Sequence, residues 1–282
     1  MNQNTKPLGQ LSPLKQAFLA LKEMQIKLQQ AENRQTEPIA IIGTGCRFPG
    51  GANDPEAFWK LLQDGVDGIQ EVPDHRWDIN SYYDRNPQTP GKMSTRVAGF
   101  LHWDVEQFDA HFFGISPREA VNIDPQQRIL LEVSWEAIEN AGIAPDSLIK
   151  SKTGVFVGIN ASDYGQMQLM DHGPGSLNAY SFTGTTFSVA AGRLSYVLGL
   201  QGPNLAIDTA CSSSLVSVHL ACQSLRNKEC NLALAGGVNL MLAPSTNVVL
   251  SKMRALAPDG RCKTFDADAD GYGRGEGCGI VL

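Results

Sequence analysis

Apolar positions along the chain follow two periods in turn. Residues 39–43 form a short unbroken apolar run ended by glycine, the pattern of a buried strand. From there strand-like and helix-like runs alternate. Residues 55–62 read as an amphipathic helix. A second helix opens at Asp124 and Pro125, continues through Ile129, Leu130, Leu131, Val133, Trp135, Ala137 and Ile138, and ends at Gly142. Buried strands are predicted over 154–159 and 204–208, and over 232–235 within the apolar stretch 232–242. A fifth begins at Gly279. Helices are predicted over 187–198, closed by Gly199, and over 212–225. Strands with continuous apolar runs, separated by helices, predict an α/β fold with a parallel or mostly parallel sheet covered on both faces. Residues 64–123 break the alternation. They are polar, carry Trp77, Tyr82, Tyr83 and Trp103, and show no period. An insertion that long in a compact domain predicts a functional or interface-forming segment.

The first 35 residues have a different pattern. Leu14, Ala17, Leu21, Met24 and Leu28 are spaced 3, 4, 3, 4, a heptad seam on a helix predicted over residues 13–33, with Ser12 as cap and Pro13 in its first turn. Two to three heptads are too short for a stable isolated coil. The helix therefore either packs on its own domain or pairs with another chain. Residues 1–35 are taken as one unit and residues 36–282 as the other.

Composition narrows the function classes. Hydrophobic residues are 42% and charged residues 18% of 282, the values of a globular chain rather than a disordered one. Lys and Arg total 23 against 29 Asp and Glu, a net charge of −6, which argues against nucleic-acid binding. No run of about 18 apolar residues predicts a membrane span, and the N-terminus lacks the pattern of a secretory signal. The 6 cysteines form no C-x-x-C pair, so they read as reduced thiols of a cytoplasmic protein rather than a zinc or dithiol site.

Several motifs fail on inspection. Gly43 and Gly45 follow a strand, but Phe48 stands where a dinucleotide-binding turn needs its third glycine. Asp266, Asp268 and Asp270 resemble a calcium loop, yet its twelfth position is Gly277 and no helix follows. The glycines at 271, 273, 275, 277 and 279 alternate instead, which bares one face of an extended strand for something to pack flat against. The 5 histidines show no metal-ligand spacing. His219 lies eight residues beyond Cys211 on one predicted helix, about 12 Å along its axis, too far to share a proton with it.

Cys211 is the candidate for chemistry. It lies where the chain leaves the carboxyl end of a buried strand, turns over small residues and enters a helix. Ligands of open α/β sheets bind beside such strand ends. Free amides and the positive end of the helix dipole there favour a thiolate, and the same amides can hold the oxyanion of a thioester under attack. Ala210, Ser212, Ser213 and Ser214 leave room for a substrate. The arrangement follows nucleophile-elbow logic with a thiol. The alternative is a core cysteine at a helix start with serines as caps. Cys46, Cys222, Cys230, Cys262 and Cys278 lack this context and read as structural. By position alone, Met167, Met170, Phe182 and Phe187 are candidates for a pocket lining.

The stretch AIDTACSSSLVSVHLACQSLR resembles the active-site segment of β-ketoacyl synthases, specifically those of modular type I polyketide synthases. The likeness extends over nearly all of residues 37–282. It takes in EPIAIIGTGCRFPGG, FWKLLQDGVDGIQEVPDHRWD, FFGISPREAVNIDPQQRILLEVSWEAIENAGI, TGVFVGI, LALAGGVNLML and APDGRCKTFDADADGYGRGEGCGIVL, in order. The resemblance implies a thiolase-like α-β-α-β-α layered fold of two related halves, of which this chain holds the first. It implies that Cys211 accepts an acyl group from an acyl carrier protein and that decarboxylative Claisen condensation extends it. No cofactor is bound directly, since substrates travel as thioesters on the carrier's phosphopantetheine. Two histidines, a lysine and a second oxyanion amide that the family uses fall beyond position 282, so the chain by itself is expected to lack a complete condensing site. The resemblance also implies a homodimer in the full-length protein, and an upstream synthase subunit that docks through residues 1–35. A non-catalytic docking or chain-length partner is the competing reading, with a decarboxylating loading domain and a thiolase behind it. Cys211 speaks against the first two of these, and the match from Phe265 to Gly279 speaks against the thiolase.

Overall fold

The computed structural model describes residues 12–102, 104–173, 175 and 177–282. In chain order the helices are α1 (Pro13–Thr36), α2 (Pro55–Asp64), α3 (Ile79–Tyr82), α4 (Pro117–Ala120), α5 (Pro125–Asn140), α6 (Asp163–His172), α7 (Ala179–Thr185), α8 (Phe187–Leu198), α9 (Ser213–Arg226) and α10 (Ser245–Lys252). The strands are β1 (Thr44–Arg47), β2 (Ile69–Glu71), β3 (Val97–Gly99), β4 (Thr153–Gly158), β5 (Asn204–Ile207), β6 (Leu232–Asn239) and β7 (Gly277–Val281).

Five strands form one sheet in the order β1-β7-β6-β4-β5. β4 runs parallel to both of its neighbours, and β7 runs antiparallel to both of its own. The sheet is therefore mixed, where the apolar runs predicted it mostly parallel. Continuous apolar runs report burial on two faces, and β7 is as covered as β4 whichever way it points. Helices α5 and α8 close one face and α9 the other. The main core joins Leu130, Val133 and Ile138 of α5 to Val155 and Val157 of β4 and Ile280 of β7, all essentially without exposure. Burying each such side chain contributes roughly 1.5–3 kcal/mol.

The first strand lies a few residues later than predicted. The ladder with β7 is made by Thr44–Arg47, while Ile41 and Ile42 remain exposed and residues 42–43 bond only to Leu282. Glycine sets this position. A Cβ on Gly43 would come 2.2 Å from the Ala137 carbonyl oxygen and one on Gly45 would come 2.5 Å from that of Val133. Both glycines let α5 close on the strand, so the G-x-G pair serves helix packing and no phosphate turn follows. Of the five alternating glycines, only Gly277 and Gly279 lie on β7 and share the predicted face; Gly271 and Gly273 precede the strand and lie against Ala257 and Gly260 instead. Cβ atoms at Gly277 and Gly279 would stand 2.8 and 3.1 Å from the Phe48 ring, which lies flat on that face.

The irregular stretch 64–123 builds a small second layer. β2 and β3 pair antiparallel over a core of Val72, Trp77, Ile79, Met93, Phe100 and Met241. Glu276 fastens this layer to the main sheet. Its oxygens accept from Arg76 Nη2 (3.1 Å), the Leu101 amide (2.9 Å) and the Met241 amide (2.9 Å). Trp103 lies outside the described residues.

α1 forms as predicted and extends to Thr36, but Ser12 makes no side-chain cap. Its backbone carbonyl instead accepts from the amides of Lys15 and Gln16. The heptad seam does not pack on the domain: Leu14 is 83% exposed and Met24 69%. That removes the reading of α1 as a helix buried against its own core. Residues 1–11 of the predicted docking unit lie outside the described residues. No helix among the described residues is long and apolar enough to cross a membrane.

Candidate active site

β5 ends at Ile207, and the next five residues make the turn that carries Cys211. Ala210 adopts a left-handed conformation at φ 54, which strains a residue with a Cβ by roughly 1–2 kcal/mol. A web of short polar side chains holds it there. The Thr209 amide donates to Ser213 Oγ (2.9 Å) and the Ala210 amide to Asp208 Oδ1 (3.0 Å). Ser213 Oγ donates to the Ala210 carbonyl (2.6 Å), and Ser212 Oγ donates to the Thr209 carbonyl (2.8 Å). The serines that sequence alone offered as caps thus fix the elbow. α9 opens at Ser213 with Ser212 before it, so Cys211 sits just outside the first turn, one residue earlier than the predicted start placed it. Its side chain is exposed. Among the described residues its amide has no hydrogen-bond partner, which leaves that N–H for an oxyanion.

Glycines bring the helix this close. A Cβ on Gly158 would meet Ser213 C and Ser214 N at 2.7 Å, and one on Gly237 would meet Ser214 Cβ at 3.0 Å. These two residues are register partners at the adjoining ends of β4 and β6. Ser213, Ser217, Ala221 and Ser224 face inward from α9, and Ser217 Oγ donates to the Gly236 carbonyl at 2.7 Å. The opposite face of α9 is open, with Leu215 75% exposed.

Polar residues that sequence reasoning passed over surround the strand ends. Burial pushes the Tyr272 hydroxyl above its usual pKa, with Arg274 opposing and the charge of Cys211 adding to the rise, so tyrosine and cysteine share one electrostatic neighbourhood. Arg274 Nη1 donates to Asn247 Oδ1 at 2.6 Å. Asp163 Oδ2 accepts from the amides of Leu242 and Ala243, each at 3.1 Å. At the start of α5, Asp124 accepts from the Gln126 amide (2.8 Å), and Gln126 Nε2 reaches the Ala161 carbonyl (2.8 Å). Gln127 Nε2 donates to the Gly184 carbonyl (2.9 Å) while its Oε1 accepts from Arg193 Nε (2.9 Å). Burial pushes Asp124 up to about 6. The run Asp-Pro-Gln-Gln ahead of an apolar helix was the available signal, since polar side chains there must be buried with partners.

Residues 36–282 match the family described as Beta-ketoacyl synthase, N-terminal domain. The chain belongs to the β-ketoacyl synthase family. Among relatives of this chain, one phenolphthiocerol/phthiocerol polyketide synthase protein of Mycobacterium bovis is 56% identical over 246 residues, 87% of this chain and 13% of that protein. Another component of the phenolphthiocerol/phthiocerol polyketide synthase, from Mycobacterium tuberculosis, is 54% identical over 246 residues, 87% of this chain and 16% of that protein. The chain therefore spans a small fraction of the length of these relatives. Among solved structures, the oxazolomycin ketosynthase domain of Streptomyces albus JA3453 superimposes with a TM-score of 0.80 at 41% identity, covering 86% of this chain and 41% of that one. The ketosynthase from module 6 of the bacillaene synthase of Bacillus subtilis 168 gives a TM-score of 0.75 at 42% identity, with 86% and 39% coverage. The predicted thiolase-like architecture is thus the fold of the ketosynthase, and the mixed sheet with its helices forms its first layers.

The remaining predicted residues fall elsewhere. Cys46, Cys230 and Cys278 are buried, and burial lifts the Cys46 thiol to about 11 and that of Cys278 higher still. Cys222 is half-buried on α9, and exposed Cys262 accepts from the Gly273 amide at 3.4 Å. His219 pairs with Gln223 at 2.8 Å. Met167 lines a cleft of about 410 Å³ with Tyr164, Phe108 and Leu242, and Phe187 packs against the main core, whereas Met170 and Phe182 are exposed. Of the acidic run Asp266, Asp268 and Asp270, Asp270 pairs with Lys263 Nζ at 2.8 Å, and the same ammonium lies 2.9 Å from both oxygens of Asp259.

Proposed function

We propose that the chain supplies the acyl-accepting half of a β-ketoacyl-[acyl-carrier-protein] synthase of polyketide biosynthesis. The exposed Cys211 on a strained, serine-braced elbow, with its own amide unpartnered, carries this reading. The Cys211 thiolate attacks the carbonyl of an acyl thioester held on a carrier's phosphopantetheine. The tetrahedral oxyanion forms against the Cys211 amide, and the carrier thiol leaves with the electron pair of the broken C–S bond. In the complete site a malonyl-type extender loses CO2, and its enolate attacks the Cys211 thioester. The 3-oxoacyl product departs on the extender's carrier, and the Cys211 thiolate is regenerated.

His219 is engaged with Gln223 two turns along α9. The open face of α9, with Leu215 exposed, supports packing of the second half of the layered fold against it. β5 is an edge strand with Leu205 exposed, which supports a homodimer formed along that edge. The exposed seam of α1 supports its pairing with a helix of an upstream synthase subunit.

Incubation with an acyl-carrier thioester and a malonyl-carrier thioester tests the two halves separately. The expected result is acyl uptake by the chain with little or no 3-oxoacyl product. Robust 3-oxoacyl product from these 282 residues alone contradicts the proposed division, and absence of uptake contradicts the function.

A further inference from the structure

Glu132, Trp135, Glu136 and Glu139 of α5 are spaced to share one face of the helix. Residues 109–113 of the insertion form a turn that closes over this face. The Phe112 ring lies 4.8 Å and the Phe113 ring 6.1 Å from that of Trp135, and Phe108 stacks on Phe113 at 5.5 Å. Asp109 Oδ1 accepts from the Phe112 amide at 3.0 Å, which fixes the turn and holds a carboxylate at the edge of the contact. No hydrogen bond of residues 109–113 reaches α5 among the described residues, so ring contacts hold the turn down. Its base is anchored, since Arg128 Nη1 donates to the Glu106 carbonyl at 3.1 Å.

One buried cation, Arg47 of β1, serves this face, and it is already engaged. Its Nη1 donates to Glu136 Oε2 (2.6 Å) and to the carbonyls of Cys46 (3.0 Å) and Asn53 (2.5 Å), while Nη2 donates to Glu136 Oε1. Glu139 accepts from the Trp135 indole at 2.9 Å. Glu132 is the carboxyl left over. It is half-buried and makes no hydrogen bond or ion pair among the described residues. The charged and titratable groups around it are Glu136 on its own helix, Arg47 and Cys46 on β1, Cys278 on β7 and Asp109 on the turn. Burial keeps both thiols protonated, so three carboxyls share one arginine that Glu136 occupies. Burial also pushes Glu132 up to about 7, with Arg47 opposing and Glu136 and Asp109 adding to the rise. Once ionised, Glu132 is desolvated beside two like charges with no donor to answer it. Lifting the turn brings water to the carboxylate and moves Asp109 away.

We propose that residues 109–113 are a pH-sensitive latch on α5, closed while Glu132 holds its proton and loosened when Glu132 ionises. Phe108, at the base of the turn, lines the cleft of about 410 Å³ with Val105 and Met167, so the latch sets one wall of that cleft. The closed form holds the proton to about 7 and the lifted form to the ordinary 4.5, so closure weakens as pH rises through that window. The same two values give about a tenfold loss of closure between pH 6 and pH 8.

Hydrogen exchange of the whole chain at pH 6 and pH 8, corrected for the intrinsic rate and read by mass spectrometry, tests this. Peptides covering 109–114 in the parent are expected to lose about tenfold in protection between the two values, while those of β4 keep theirs. Glu132→Gln, which cannot ionise, is expected to hold the turn equally at both. Unchanged protection of the turn in the parent, an equal loss in β4, or the same loss in a folded Glu132→Gln protein overturns the latch. Should the variant not fold, a parent profile taken from pH 5 to 8 decides. A loss confined to the turn and levelling off above pH 7 upholds the latch, and any other profile overturns it.

Discussion

Replacing Glu276 by Gln should destabilise the chain more than any other isosteric change at a polar residue. Its side chain is 0% exposed and that of its partner Arg76 is 4% exposed. Arg76 Nε is buried without a partner among the described residues, so Glu276 alone offsets that guanidinium. The carboxylate also accepts from the Leu101 and Met241 amides, which joins β7, the loop after β6 and the insertion at one point. Glutamine keeps one acceptor oxygen and presents an NH2 group to donors that all need acceptors. Breaking a buried pair by removing one charge costs about 3–5 kcal/mol, since the other charge stays buried and unanswered. A chain this size loses roughly 2–4 °C of Tm per kcal/mol, so a drop of roughly 6–20 °C is expected. Urea unfolding and a thermal melt at pH 7 measure it. Arg76→Met in the Glu276→Gln background should restore part of the loss, because the unpaired cation is then gone. A Glu276→Gln protein that melts within 2 °C of the parent (roughly the shift of a 1 kcal/mol change) would refute the reasoning.

Three further outcomes follow from the same structure. Asp124 holds its proton to about pH 6 when folded and to about 3.8 when unfolded, so the folded state binds more protons across that window and stability falls as pH rises through it, by about 3 kcal/mol in full. Asp124→Asn should remove that fall, whereas parallel stability curves for parent and variant between pH 4 and 6.5 would show that the buried carboxyl does not drive it. Gly158→Ala drives a Cβ into Ser213 and Ser214 and should cost about 1–3 kcal/mol, with at least a tenfold slower modification of Cys211 by iodoacetamide as the elbow shifts. Gly237→Ala, whose Cβ meets its neighbours at 3.0 Å, should be milder in both assays. Under native conditions Cys46 should resist iodoacetamide in a peptide-resolved labelling assay, since it is buried and its thiol is lifted to about 11.

Much of the architecture could be read from the residues because burial writes itself into apolar runs. The helices α5, α8 and α9 and the strands β4, β5, β6 and β7 lie within a few residues of their predicted places. Strand direction left no such mark, and β7 runs against its neighbours although its composition resembles theirs. β1 was misplaced because Ile39 to Ile42 look more strand-like than Thr44 to Arg47; the deciding factor is the room that Gly43 and Gly45 give to α5, a tertiary requirement. Helices α6, α7 and α10 were missed, since their residues divide between the core and the surface without a clean period. At the site, Cys211 stood out through its local context of strand end, small residues and helix start. Tyr272, Arg274, Asp163 and the Gln126–Gln127 pair did not, because their partners lie 27 or more positions away in sequence and no local pattern joins them.

The central claim is that the elbow makes Cys211, among six free thiols, the one that takes the acyl group. Incubating the chain with an acyl-carrier thioester and mapping the added mass to individual cysteine peptides tests this most directly. The account predicts the acyl group on Cys211 and its loss in Cys211→Ser, with Cys262, the other exposed thiol, unmodified. Acylation on Cys262, or acylation that survives Cys211→Ser, would contradict it.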